Sequence, residues 1–191
     1  MGTMVKQILG GLWQILTYRG GWVKPIKNSL PVAAFLAVVA IVTKTLALFV
    51  SYLLDPNTPL AFAFSSVAVE LVSMLLGIGL VALVARQRKQ FPTLLAGLMY
   101  LATLSVFIGA IVGIVVSMGV SVFSLDLGQM QSLWQVIALL YMIWFVSSVL
   151  TIIKNGLNEK WWRAGLLTVI FIATSHVVVA IWQKVFFPNI L

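Results

Sequence analysis

No cysteine occurs among the 191 residues, which excludes disulfides, thiol nucleophiles and thiolate metal sites and leaves the redox compartment unreadable. Histidine occurs once, and the acids number four: Asp55, Glu70, Asp126 and Glu159. Zinc centres and facing carboxylate pairs need more of these side chains in one place than such a dispersed set supplies. Phosphate-binding loops are missing too, because Gly10-Gly11 and Gly20-Gly21 lack the required pattern. Charge of either sign is scarce: 8% of residues are charged and 62% hydrophobic. A soluble domain carries about 25% and about 45–50% respectively, so this chain lacks the polar surface to face water. With a mean hydropathy of +1.12, it is expected to be an integral membrane protein.

Long apolar runs are what the chain has instead. Five stretches, at 31–54, 60–85, 93–118, 132–153 and 164–187, reach spanning length, which is about 20 residues for a helix crossing a hydrocarbon core of about 30 Å. Each is far longer than the alternating segments of roughly 10 residues in a membrane barrel. Backbone in lipid must satisfy its own hydrogen bonds, so these segments are predicted to be helices. The expected fold is all-α, a polytopic bundle of five transmembrane helices.

The connections are short. Asp55-Pro56-Asn57-Thr58-Pro59 is dense in turn formers and joins spans one and two as a hairpin. Residues 86–92 join spans two and three, 119–131 form the longest link, and 154–163 lead into the last span. No separate soluble domain is expected.

The net charge of +8 would suit a nucleic-acid binder if it were clustered on a soluble surface. Its placement says otherwise. With five alternating spans, Lys6, Arg19, Lys24, Lys27, Arg86, Arg88, Lys89, Lys154, Lys160 and Arg163 fall on one side, and the opposite loops hold Asp55 and Asp126. Cytoplasmic loops collect Lys and Arg, so the N-terminus is expected in the cytoplasm and the C-terminus outside. A bacterial inner membrane is the expected location. Trp22, Trp161 and Trp162 would mark the inner interface and Trp134 and Trp182 the outer one, as an aromatic belt.

Residues 1–29 differ from the rest. From Thr3 to Tyr18, Met4, Val5, Ile8, Leu9, Leu12, Ile15 and Leu16 recur at helical spacing on one face, while the segment is too short and polar to span. It is expected to lie on the inner leaflet as an interfacial amphipathic helix, followed by a basic linker. No small-residue cleavage site follows it, so a signal peptide is not expected. Lys6 stands where a myristoylation motif wants Ser or Thr.

Lys44, Glu70 and His176 fall deep inside the apolar runs. Lys44 lies eleven positions before Asp55 and Glu70 eleven after Pro59. On adjacent antiparallel helices both sit roughly 15 Å below the same loop, at about 1.5 Å per residue. A lone charge at that depth costs at least about 2.5–3.5 kcal/mol, which argues for an ion pair. His176 lies at a similar level in the last span and is expected in the apolar interior. Lys44, Glu70 and His176 form the candidate intramembrane cluster. Two readings stay open: a proton, ion or substrate site, or a neutralised pair that sets helix register. A serine–histidine–acid triad would need residues from different depths, so enzyme activity is not expected.

In the third span, Ser105, Gly109, Gly113, Ser117 and Ser121 follow each other at four-residue intervals. Small residues at this spacing admit another helix closely, either inside the bundle or from a partner. The inner-face residues Arg86, Arg88, Lys89, Lys160 and Arg163 can attract anionic headgroups, although topogenesis alone would also account for them.

Several positions carry a resemblance: Pro31 opening the first span, Gly97-Leu98-Met99-Tyr100 in the third, Trp134 opening the fourth, and Arg163-Ala164 opening the fifth. With the cytoplasmic N-terminal segment, five spans and short loops, the layout resembles the Yip family of small membrane proteins, in its bacterial branch, over roughly residues 22–187. The resemblance implies a non-enzymatic scaffold or assembly protein. The expected function is thus an accessory subunit of a membrane complex, working with a membrane protein partner or as a homo-oligomer. The alternative is a membrane subunit of a transporter for a small solute, an ion or a lipid, using the intramembrane cluster. No cofactor, metal or nucleic acid is expected.

Overall fold

The structure, a computed structural model, describes Gly10 and residues 30–54, 60–123 and 127–186; residues 30–33, 48, 50–54, 60–64, 113, 115–123 and 127–131 are described by backbone alone. The expected interfacial helix, the turn at 55–59 and Asp126 lie outside the described residues.

Apart from the turns at 85–87 and 158–160, the described residues are helical, with no strand among them. Helices α1 (Leu30–Leu54), α2 (Leu60–Val84), α3 (Phe91–Phe123), α4 (Leu127–Leu157) and α5 (Trp161–Phe186) follow in order, with a short 3₁₀ turn, Arg88–Gln90, before α3. Four helical stretches, Ser65–Val84, Arg88–Val112, Ser132–Leu157 and Trp161–Phe186, are long and apolar enough to cross a membrane, and Ala34–Ala47 adds a shorter apolar stretch within α1. The chain is an all-α helical membrane bundle.

Two helices outrun their expected spans. α3 has 33 residues and α4 has 31, so most of the expected link at 119–131 is helical. Gly119, Ser121, Gly128 and Gln129 look loop-forming by polarity, but a helix satisfies their backbone within the segment, which favours continuation beside lipid.

Packing does not follow chain order. α2 packs most extensively on α5, and α1 on α3, while the sequence neighbours α1 and α2 touch much less. The helices therefore close a ring in the order α1, α3, α4, α5, α2, with α2 also touching α3. Lipid offers no hydrophobic gain for bringing helices together, so close approach of small side chains has to do it. Ala40, Ala96 and Ala164 are each fully buried. A Cβ at Gly77 on α2 would meet the Phe171 ring of α5 at 2.8 Å, and one at Gly156 on α4 would meet Leu94 of α3 at 2.9 Å. These glycines set the spacing of two helix pairs.

Hydroxyls within the spans are mostly satisfied by their own helix. Thr43 donates to the Val39 carbonyl at 2.9 Å, Thr103 to Met99 at 2.9 Å, Thr168 to Ala164 at 2.8 Å and Thr174 to Ile170 at 2.8 Å. This back-bonding lets polar residues sit in lipid-embedded helices without a neighbour.

The bundle is tight at one end and splayed at the other. Arg86, Arg88, Lys89, Lys154, Lys160 and Arg163 gather at the tight end, the basic end of the bundle. From there, Thr93 to Thr103 of α3 are buried without interruption, and Ser148 to Ile153 of α4 are buried apart from partly covered Leu150. Beyond them α3 exposes Phe107, Ile111 and Ile114, and α4 exposes most of 132–143.

Candidate functional site

Helix counting places a layer of polar side chains at one depth. From the basic end, Lys44 is fourteen residues along α1, Glu70 fourteen along α2, Ser105 fourteen along α3, Tyr141 sixteen along α4 and Ser175 fourteen along α5. At about 1.5 Å per residue they share a level within a few ångströms.

Lys44 and Glu70 are joined. The Lys44 ammonium donates to the Glu70 carboxylate across α1 and α2, with the lysine side chain 11% exposed and the glutamate 44%. The Glu70 backbone carbonyl also accepts from the Ser73 hydroxyl at 2.8 Å. The pair is thus lopsided: its cation is inside the bundle and its anion is half uncovered.

His176 is not brought to this pair. It is exposed on α5 and makes no hydrogen bond or ion pair among the described residues, contrary to the expected three-residue cluster in the interior. The inward stripe of α5 runs through Ala164, Leu167, Thr168, Phe171 and Trp182. At about 100° per residue, His176 lies roughly 140° round from Phe171. Its depth agrees with the pair; its direction does not. Trp182, expected in the outer belt, is instead buried at 8% exposure, whereas Trp161 and Trp162 are well exposed.

The missing side of the polar layer is a cleft. Between the splayed halves of α3 and α4 lies a cavity of about 640 Å³, walled by Ile108, Gly109 and Val112 on one side and Trp134, Ile137, Ala138 and Leu140 on the other. Ser105, Tyr141 and Trp144 form its inner end. Tyr141 and Ser105 both line this end of the cleft, one from each helix. The Tyr141 ring is held by aromatic neighbours one turn on, with centroids 5.7 Å from Trp144 and 6.3 Å from Phe145. The cleft therefore has apolar walls and a polar floor.

The small-residue seam faces this opening. Nothing lies within 4 Å of a Cβ built at Gly109, and Ser105 spends its hydroxyl on the Ala102 carbonyl at 2.7 Å. Gly113, Ser117 and Ser121 continue α3, but their side-chain surroundings lie outside the described residues.

At the basic end the five expected cations divide into two groups. Arg163 Nη1 lies 3.2 Å and 3.3 Å from the two Glu159 carboxylate oxygens, and Gln87 Nε2 donates to Glu159 Oε1 at 3.1 Å. This ties the α2–α3 turn to the α4–α5 turn, which is clamped further by Lys154 Nζ over the Trp161 ring at 4.3 Å. Arg86, Arg88, Lys89 and Lys160 are exposed and form no ion pair among the described residues.

Sequence reasoning missed Tyr141 and Trp144. Their signal was the spacing Tyr141, Trp144, Phe145, an aromatic cluster on one helix face at the depth of two charges. Among the described residues no three His, Cys, Asp or Glu side chains come together, so no metal-ligand set can be named. No family model, curated protein or solved structure matches the chain.

Proposed function

We propose that the protein is a non-enzymatic accessory or assembly subunit of a membrane complex, and that a transmembrane helix of its partner lies in the cleft between α3 and α4. The single observation that carries this reading is the open flank at Ser105 and Gly109. Small residues in membrane helices draw another backbone close, yet within this bundle nothing touches Gly109. The Yip-like layout, through Pro31, Gly97 to Tyr100, Trp134 and Arg163-Ala164, agrees with a scaffold role. By charge placement, we assign the basic end to the cytoplasmic face of a bacterial inner membrane.

A second reading is a subunit of a small-solute, ion or lipid transporter, favoured by the polar floor that Ser105 and Tyr141 give the cleft. One experiment separates the two. The full chain is purified in mild detergent from its own membranes, as wild type and as Gly109→Leu, and co-purifying chains are quantified. A stoichiometric membrane partner that the substitution removes, with melting unchanged, is expected for an accessory subunit. A homo-oligomer with proton- or solute-dependent flux that Gly109→Leu blocks would sink that reading and favour transport.

A further inference from the structure

The turn from α2 into α3 is built around an awkward residue. Arg86 has φ 57°, in the left-handed region, and Asn158 takes φ 54° at the equivalent place after α4. Both turns close as helix ends often do: Gln87 N–H bonds to the Ala82 carbonyl at 2.9 Å and Arg86 N–H to Leu83 at 3.0 Å, while Glu159 N–H bonds to Lys154 at 2.9 Å. Glycine or asparagine occupies such a position with least strain, and Asn158 follows that preference. Arg86 does not. Strain of this kind persists where the side chain has a use.

That side chain lines a concavity. Arg86, Arg88 and Lys89, with Gln87, Gln90 and the apolar Leu83, surround a pocket of about 550 Å³. None of the three cations has an acidic partner among the described residues. The one acid the sequence places at this end, Glu159, is already held by Arg163 and Gln87. A topological signal needs positive charge on this side of the membrane; it needs neither a strained arginine nor three cations around one hollow.

We propose that this pocket holds the phosphate of an anionic phospholipid. Arg86 and Arg88 offer forked guanidinium donors and Lys89 a point charge, the combination that recognises phosphate oxygens. A lipid is favoured over a soluble phosphate by what adjoins the pocket. Leu80, Leu83 and Val84 are 40%, 53% and 45% exposed and lead from the pocket along the lipid-facing flank of α2, where an acyl chain can lie. Exposed Trp161 and Trp162 mark the same end of the bundle as an interface.

Arg86→Gly supplies a sharp test, because glycine relieves the left-handed strain while deleting the cation. The full chain, delipidated in mild detergent, is titrated with phosphatidylglycerol or phosphatidylcholine and bound lipid is counted by native mass spectrometry. Wild type is expected to prefer phosphatidylglycerol. Arg86→Gly is expected to lose about fivefold in that preference without melting earlier, and Arg88→Gln/Lys89→Gln to lose more. Lys184→Gln, at the far end of α5, is expected to keep it. Equal uptake of the two lipids by wild type, or an unchanged preference in both pocket variants, would overturn the proposal. So would displacement of the bound lipid by millimolar inorganic phosphate, which would assign the pocket to a soluble anion. Should Arg86→Gly melt earlier, the double variant alone decides.

Discussion

Lys44 and Glu70 stabilise the bundle only as a pair. Removing the lysine leaves the Glu70 carboxylate without its counter-charge deep in the bundle, which costs more than removing both charges together. Replacing both partners by apolar residues removes the liability. Lys44→Met is therefore expected to lower the melting midpoint in detergent strongly, and Lys44→Met/Glu70→Leu to recover most of the loss. A double variant no more stable than Lys44→Met would show that the pair is not what holds α1 to α2. The depth match was countable from the sequence, because the proline-rich turn fixes where both helices start counting. The half-exposed state of Glu70 was not, since it depends on how α2 is rotated against its neighbours.

Among the helices, the same residue type plays two roles. Gly77 is pressed against Phe171, where an added Cβ would fall 2.8 Å from a buried ring, while Gly109 looks into open space. Overpacking a tight contact typically costs about 1–3 kcal/mol. Gly77→Leu is thus expected to unfold the bundle at lower temperature with loss of α2–α5 packing, read by thermal unfolding in detergent. Gly109→Leu is expected to leave that transition in place. Equal destabilisation by both would mean that the α3 seam packs inside the bundle after all. Helix existence and approximate bounds were legible from the apolar runs, because lipid forces backbone to bond within its own segment. Helix rotation was not. His176 shows the difference: counting residues gives its depth, but its bearing is set by which side of α5 meets α2, and neither helix announces that side by an apolar stripe when every face is apolar.

Across the whole molecule, charge placement makes the orientation testable, and the absence of cysteine makes the test clean. Lys160→Cys at the basic end and Phe186→Cys at the far end of α5 introduce single thiols at exposed positions. In intact cells, a membrane-impermeant maleimide is expected to label Phe186→Cys and to reach Lys160→Cys only after permeabilisation. The reverse pattern would invert the topology. The all-helical architecture and the gathering of Arg86, Arg88, Lys89, Lys154, Lys160 and Arg163 at one end could be read from composition and spacing alone. The ring order could not, because pairing between helices distant in sequence rests on shape at positions such as Ala40, Gly77 and Gly156.

That ring order has a consequence for how the chain enters its membrane. α1 and α2 emerge first, yet their best packing partners, α3 and α5, have still to be made. Until those arrive, little holds the first two helices together except the bond between Lys44 and Glu70. Separately, each helix would carry an uncompensated charge into hydrocarbon; together they carry none. Entering the membrane together, the two helices present no net charge to hydrocarbon. The ion pair that joins α1 to α2 in the finished bundle would thus already lower the cost of inserting them.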